Sequence, residues 1–453
     1  MRANARFNYF VPFILPACAL LNACSNTREI NSNVHTILIN DTAISKGFIG
    51  ISIYDSDKSK FLYRYNADHY FVPASNTKLF TLYAGLKYLS DSLVGLRYRQ
   101  LGDSLYVLPT GDPTFLYTDF QKQLVAEFFE KTSLPVTIND TDFKTGKYGS
   151  GWAWDEYGES YMPERSAFPV AGNNIFISFK KEQTTTLPAL GNQEYSLRVS
   201  PVLKSVTFLN TGRSEKNLSF TRKEKENYFT FTYPVSKIDA QLYIPFVTNG
   251  VSSAIEILNI RYPSTSFTNT NTLFPPNEYK VLHTQPKDSL FKPMMHRSDN
   301  FFAEQTLLMA ANEYLGYMNE VKLIDTLLKK DFRDIPSKPS WVDGSGLSRY
   351  NLFTPDDFIY ILKRLKNEFG LARLKNILAT GGEGTLKNYY LKDAGFIFAK
   401  TGTLSNNSAL SGYLITRKGK LLLFSVLVNN YASGATPVRR AIEKFFENIR
   451  NRN

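Results

Sequence analysis

Between about residue 100 and residue 275 this chain loses the helical spacing found in its two ends. The segment holds short aromatic runs, many Thr, Gly and Asn, and one clear helical stretch, Phe120 to Lys131. Aromatic residues favour strands. Outside it the periodicities differ. Gly47 to Tyr54 and Lys60 to Tyr65 read as a hairpin across Asp55-Ser56-Asp57,. A helix follows from near Ser75 through Leu79, Leu82, Leu86 and Leu89,. Helical spacing resumes over Phe301 to Leu315 and Val321 to Lys330, and Thr354-Pro355-Asp356 caps another helix,. Gly395 to Ala399 is a short apolar strand. Ser411 to Thr416 and Leu421 to Val428 form a hairpin around Arg417-Lys418-Gly419-Lys420, and a last helix sets Val438, Ile442, Phe445 and Ile449 on one face,.

This order constrains the topology. Strands at both ends bracket helices, so an antiparallel sheet pairing the first strands with the last is the economical solution. The expected fold is α/β (α+β): an antiparallel sheet flanked by helices, built from residues 30–98 and 278–453, with 99–277 inserted as β-rich domain or domains. The polar run Ser264 to Asn277 ends in Pro275-Pro276-Asn277 and suits a return linker,.

The N-terminus carries a targeting pattern. Met1 to Arg6 is basic, and Phe7 to Leu21 is apolar but interrupted by Asn8 and two prolines, too short and broken for a good membrane span,. It ends Leu21-Asn22-Ala23-Cys24, which resembles a bacterial lipobox. Residues 1–23 then form a lipoprotein-type signal peptide, Cys24 is lipidated, and the protein lies in the cell envelope, periplasmic and lipid-anchored. Leu15-Pro16-Ala17-Cys18 is an earlier match that leaves a shorter apolar core. The chain's two cysteines are Cys18 and Cys24, so cleavage before Cys24 leaves no thiol for a disulfide, Cys nucleophile or Cys-based metal site. The formal net charge is +12. Without a long Lys/Arg block or a nucleic-acid module, that charge suits an anionic wall or membrane surface better than a nucleic acid.

Three short motifs occur in order: Ser75-Asn76-Thr77-Lys78, Ser298-Asp299-Asn300 and Lys400-Thr401-Gly402. At a helix start, residues three apart share a face, so the Lys78 amine can reach the Ser75 hydroxyl. A serine is a weak nucleophile until a base takes its proton. Burial and a nearby cation, which Lys400 could supply, would free the Lys78 amine for that task. Ser298 could relay a proton to a leaving amine and Asn300 could bind a substrate amide. Lys400 and Thr401, on an edge strand, could pair with an extended peptide and hold its carboxylate. Each motif also has a plainer reading: Ser75 or Ser298 as a helix cap, Lys78 as a solvated lysine, Gly402 as a turn after a strand end. Lys144-Thr145-Gly146 and Ser405-Asn406-Asn407 repeat two of the patterns, in stretches that read as surface loops.

The ordered set resembles that of penicillin-binding proteins and class A β-lactamases. More specifically, the chain resembles the D-Ala-D-Ala carboxypeptidase/endopeptidase family of low-molecular-mass class C penicillin-binding proteins, peptidase family S13. The resemblance rests on Pro73 to Lys78, Ser298 to Glu304, Lys400 to Thr403 with Leu410 to Tyr413, Asp343 to Arg349, and Gly151 to Asp155. The long insertion between Ser75 and Ser298 is a hallmark of that family. The resemblance implies a penicillin-binding/β-lactamase-like transpeptidase fold with Ser75 as acylated nucleophile and Lys78 as base. Ser298 and Asn300 would line the proton path and bind peptide. Lys400, Thr401 and Thr403 would hold a terminal carboxylate, and the Ser75 and Thr403 N–H groups would form the oxyanion hole. Asp155 and Arg349 would bind the amine and carboxylate of a diaminopimelate end. Peptidoglycan peptides are the implied substrates and β-lactams the implied covalent inhibitors, with no metal or organic cofactor. In Gly381-Gly-Glu-Gly-Thr-Leu386, Glu383 stands where the family has Asp, and the segment reads as structural.

Two other functions share this sequence logic. A β-lactamase would need a residue such as the Glu that holds a deacylating water; there is no Glu-x-x-Leu-Asn between Asn300 and Lys400, and Glu304 reads as an ordinary helix residue. A penicillin or muropeptide sensor would use the fold passively. A Ser-His-Asp hydrolase is disfavoured, because the four histidines (His35, His69, His283, His296) have no place in the motif set and His296 reads as a surface residue.

Overall fold

The computed structural model describes residues 34–181, 195–214, 217–234, 236–272 and 278–452. The leader, Cys24 and the last residues of the return linker lie outside these.

Strand β1 (Phe48–Asp55) and β2 (Lys60–Tyr65) form the expected hairpin. They join β3 (Ala379–Thr380), β4 (Ile397–Leu404), β5 (Asn407–Ile415) and β6 (Leu421–Asn429) in one antiparallel sheet, ordered β3-β4-β5-β6-β1-β2. The first strand pairs with the last, Ile51 opposite Val426. Strand β6 is nearly continuously apolar because both its faces are covered. Leu423 and Leu427 pack with helices α1 (Lys78–Tyr88), α2 (Asn300–Leu315) and α3 (Pro355–Phe369). Leu422, Phe424, Val426 and Val428 face the opposite way, against α4 (Ala435–Arg452).

The helices explain their own sequences. Helix α1 lies at the centre of its layer and is buried around most of its circumference. Gly85 is needed there, since a Cβ would come within 2.6 Å of the Phe291 ring. Helix α3 is amphipathic and closed by a capping box. The Thr354 hydroxyl accepts from the Asp357 N–H, and the Asp357 carboxylate accepts from the Thr354 N–H,. Helix α4 presents Val438, Ile442, Phe445, Phe446 and Ile449 to the sheet, all buried. Phe445→Ala is expected to cost about 3–5 kcal/mol, read as a lowered thermal denaturation midpoint, because the side chain is fully enclosed.

Several boundaries move. Strand β4 runs on through Leu404, so Lys400, Thr401 and Gly402 lie inside a strand rather than at its end. Strand β5 begins at Asn407, four residues before the expected Ser411, and Ser405-Asn406 becomes the tight turn between the two. The expected Phe120–Lys131 helix shrinks to Leu124–Glu130. The Gln123 side chain holds the preceding loop instead, accepting from the Leu116 N–H and donating to the Phe120 carbonyl.

The chain enters and leaves the middle block along paired antiparallel strands, Ser92–Leu101 and Lys280–Pro286. The junction expected at residues 98–99 falls within the first of them. These strands belong to a five-stranded sheet, and two three-stranded sheets follow, centred on Asn174–Lys181 and Tyr228–Pro234. Leu308 of α2 and the adjacent Met318 share a core with the block's apolar residues. The block is therefore packed onto the helical layer, and residues 143–166 run beside the helix that carries Asn300.

Candidate active site

The Ser75 turn is built by the chain before α1. Ala74–Thr77 is a 3-10 turn that leads directly into the helix, and the Ser75 side chain makes no capping bond. The plain reading of Ser75 as an N-cap is thereby set aside. The Asn76 amide donates to the Ser411 hydroxyl at 2.7 Å, and Ser411 donates on to Ser425 at 2.9 Å. This polar chain ties the turn to strands β5 and β6. Ala74 has φ +47°, a left-handed conformation that a non-glycine residue adopts only when its surroundings hold it,.

Lys78 is fully buried, not solvated. Its Nζ donates to Ser75 Oγ at 2.9 Å, Asn300 Oδ1 at 2.7 Å and the Ser345 carbonyl at 2.7 Å. Burial is the largest influence on this amine and lowers its pKa to about 8, against the opposing pull of Asp343, Glu304 and Asp299. Of the two influences expected to free this amine, burial acts on it and the Lys400 cation does not. The influence of charge between the two lysines falls on Lys400, whose pKa is pushed well down by burial, then by Lys78 and Arg439.

Lys400 Nζ donates to Ser298 Oγ at 2.9 Å and to the Thr401 carbonyl at 2.7 Å. Ser298 is not the cap of α2. Asp299 is, accepting from the Phe302 N–H at 2.9 Å. Ser298 itself has φ +64°, so a second non-glycine residue at this site is held left-handed. The Asn300 amide donates to the Tyr161 carbonyl at 3.1 Å. Ser75, Lys78 and Asn300 form one hydrogen-bonded group and Ser298 with Lys400 a second, and the two meet at one cleft as a cluster drawn from α1, α2, β4 and the turns before the two helices.

Strand β4 passes the Ser75 turn closely. A Cβ on Gly402 would sit 2.5 Å from the Pro73 carbonyl oxygen and 3.1 Å from the Ser75 nitrogen. The glycine of the third motif is thus a contact requirement, not a turn. Gly346, with φ +79°, plays the same part from the other side, since a Cβ there would lie 1.9 Å from the Ala74 carbonyl oxygen. Strand β3 pairs only with Phe398 and Ala399. Among the described residues, no strand covers the edge of β4 from Lys400 to Leu404. The Thr401 hydroxyl donates to the Thr385 hydroxyl at 2.8 Å, and the Arg439 guanidinium donates to the Thr403 hydroxyl.

A cleft of about 650 Å³ opens over this cluster. Ser75, Ser298, Asn300 and Thr403 line its floor, with Arg349 and Glu156 at its walls. Arg349 is exposed and donates to the Ser405 carbonyl at 3.3 Å. Asp155 is exposed on the same short 3-10 turn as Glu156 but is not part of the cleft lining. A turn of this tightness points neighbouring side chains apart, so the wall position falls to Glu156.

Other contacts were not readable from the motifs. The Ser345 carbonyl and the Tyr161 carbonyl are backbone groups, which carry no residue-type signal. Thr385 belongs to a segment read as structural, yet it touches Thr401. Glu304 is a helix residue as expected, but it is wholly buried, bonded to the Ser345 N–H and paired with Arg165. His296 is not a surface residue; it is largely buried, with its pKa lowered by burial and its ring 3.8 Å from Glu383. The repeat at Lys144-Thr145-Gly146 does lie on a partly exposed loop, where the Thr145 hydroxyl donates to Glu320 at 2.9 Å.

Known proteins are similar to this chain along nearly its whole length. The D-alanyl-D-alanine carboxypeptidase DacB of Haemophilus influenzae is 23% identical over 99% of this chain and 97% of its own length. The D-alanyl-D-alanine carboxypeptidase of Actinomadura sp. strain R39 is 25% identical over 94% of this chain and 86% of its own. The crystal structure of penicillin binding protein 4 (dacB) from Haemophilus influenzae superposes with a TM-score of 0.71 at 19% identity, covering 94% of this chain and 98% of that one. The family model for the D-Ala-D-Ala carboxypeptidase 3 (S13) family matches residues 30–449. With the match spanning nearly the whole chain and the three motifs gathered at one cleft, the protein belongs to the D-Ala-D-Ala carboxypeptidase 3 (S13) family.

Proposed function

We propose that this protein is a serine D-Ala-D-Ala carboxypeptidase and DD-endopeptidase that cuts peptidoglycan stem peptides and cross-links through an acyl-enzyme on Ser75. The observation that carries the reading is the buried Lys78 amine 2.9 Å from Ser75 Oγ. A neutral amine takes the serine proton as Oγ attacks the carbonyl of the penultimate D-Ala. The Ser75 and Thr403 N–H groups receive the developing oxyanion. Ser298, held by Lys400 at 2.9 Å, passes a proton to the departing amine. Water then hydrolyses the ester. Thr401 and Thr403, on the open edge of β4, bind the terminal carboxylate, Asn300 binds the peptide, and Arg349 meets the carboxylate of a stem side chain. The same attack on the amide of a β-lactam leaves an acyl group on Ser75, so β-lactams act as covalent inhibitors. The amine of the stem side chain falls to the turn carrying Asp155 and Glu156, of which Glu156 lines the cleft.

The leader and Cys24 support export and a lipid anchor in the bacterial envelope. Among the described residues no helix is long and apolar enough to cross a membrane. Residues 30–98 with 278–453 form the catalytic domain in this reading, and 99–277 the insertion.

Purified protein incubated with intact sacculi is expected to release D-Ala from pentapeptides and convert cross-linked dimers to monomers, followed by mass analysis of the fragments. Rapid nitrocefin turnover without D-Ala release would instead identify a β-lactamase. Muropeptide binding without any cleavage would identify a sensor.

A further inference from the structure

Arg165 comes from the middle block, yet among the described residues it is the bulkiest side chain that is fully buried. Burying a guanidinium is costly unless its N–H groups are used, and here they are. Nη1 donates to Glu304 at 3.3 Å and to Glu320 at 2.8 Å. Nε and Nη2 donate to the Gly146 carbonyl, and Nη2 also to the Tyr148 carbonyl. The other oxygen of Glu304 accepts from the Ser345 N–H at 2.7 Å. The carbonyl of that same Ser345 accepts from Lys78 Nζ at 2.7 Å. A continuous chain of contacts thus runs from Arg165 through Glu304 and Ser345 to Lys78 and Ser75.

A second side chain of the block holds the same loop. The Trp152 indole, stacked under the Arg165 guanidinium at 5.7 Å, donates to Asp343 at 2.9 Å. Asp343 in turn accepts from the Gly346 and Ser348 N–H groups and the Asn351 amide. The loop that presents the Ser345 carbonyl is pinned at two buried carboxylates, and the block reaches both.

We propose that Arg165 is a positioning residue for the reaction: it fixes Glu304, which fixes the Ser345 backbone, whose carbonyl aims the Lys78 amine at Ser75. The middle block is on this account a working part of the catalytic centre. The proposal rests on the reading of Lys78 as the base.

The charged groups around this chain set the sign of its pH signature. Glu304 faces Arg165, Glu320 and Asp343; Lys78 faces Glu304, Asp343 and Asp299 and acts on Lys400. Burial, then Asp343, pushes the Glu304 carboxyl up, while Arg165 and the Ser345 N–H bring it down. Without Arg165 the carboxyl is pushed further up, it carries less negative charge where Lys78 titrates, and the Lys78 pKa falls. The acid limb of acylation therefore moves to lower pH, which simple loss of stability would not do.

The test measures the rate of covalent labelling by fluorescent penicillin across pH, normalised to the folded fraction from thermal denaturation. Arg165→Met is expected to label up to about a hundredfold more slowly on the alkaline plateau, the scale of a catalytic group misplaced by about 1 Å, with its acid limb displaced downward; Arg165→Lys recovers part of the rate. Glu304→Gln breaks the ion pair to Arg165, so it should slow labelling on the plateau as Arg165→Met does while moving the acid limb the same way. Wild-type rate and profile in folded Arg165→Met overturn the proposal, as does a loss of label that only tracks unfolded protein. If Lys78→Met labels normally, the base has been misassigned. If Lys78→Met is silent while Arg165→Met is normal, only the positioning role fails.

Discussion

Ser75→Ala is expected to abolish covalent labelling by fluorescent penicillin and to lower peptidase turnover by on the order of a millionfold, the scale seen when a serine hydrolase loses its nucleophile. The change removes the hydroxyl that the proposed mechanism acylates, while Lys78 keeps its bonds to Asn300 and to the Ser345 carbonyl. The fold should stand, since one lost hydrogen bond costs about 1 kcal/mol. Labelling by mass shift and D-Ala release from a pentapeptide measure the two effects separately. Peptidase activity persisting in this variant would refute the nucleophile.

Lys78→Met should slow acylation by about 10²- to 10⁴-fold, the usual contribution of a positioned general base. The methionine keeps most of the buried volume, which alanine would not. The pH dependence gives an independent check. Burial disfavours the ammonium and lowers the Lys78 pKa to about 8. The neutral amine is the active form, so acylation by the unmodified protein should rise with pH and level off above about 8,. That limb should be missing from the residual activity of Lys78→Met. A limb unchanged in the variant would mean that another group takes the proton.

The sheet was readable because its strands carry their own signal. Leu421 to Val428 reads as one arm of a hairpin with Ser411 to Thr416, and the amphipathic stripe of Val438, Ile442, Phe445 and Ile449 announced a helix with one face to bury. The residues of the cluster were readable too, as short motifs in a fixed order. What failed was reasoning about a single motif without its neighbours. Ser298 looked like a cap because serines often are, but Asp299 beside it holds that position. Lys400 looked like a strand end because polar residues follow it, but those residues continue β4 past the Ser75 turn. Glu304 is the helix residue it looked like, but its burial was not legible, because nothing local distinguishes a carboxylate that will be buried against a distant arginine.

Element types, the pairing of the chain's two ends and the motif residues that the fold gathers at one cleft were all legible in the order of amino acids, because hydrophobic period and residue type are local properties. The tertiary structure decided which carboxylate faces the cleft, which backbone carbonyls grip Lys78, and that the middle block sends Arg165 into the catalytic layer. Those outcomes depend on how elements far apart in the chain are packed together, and burial and electrostatic influence exist only once that packing has formed.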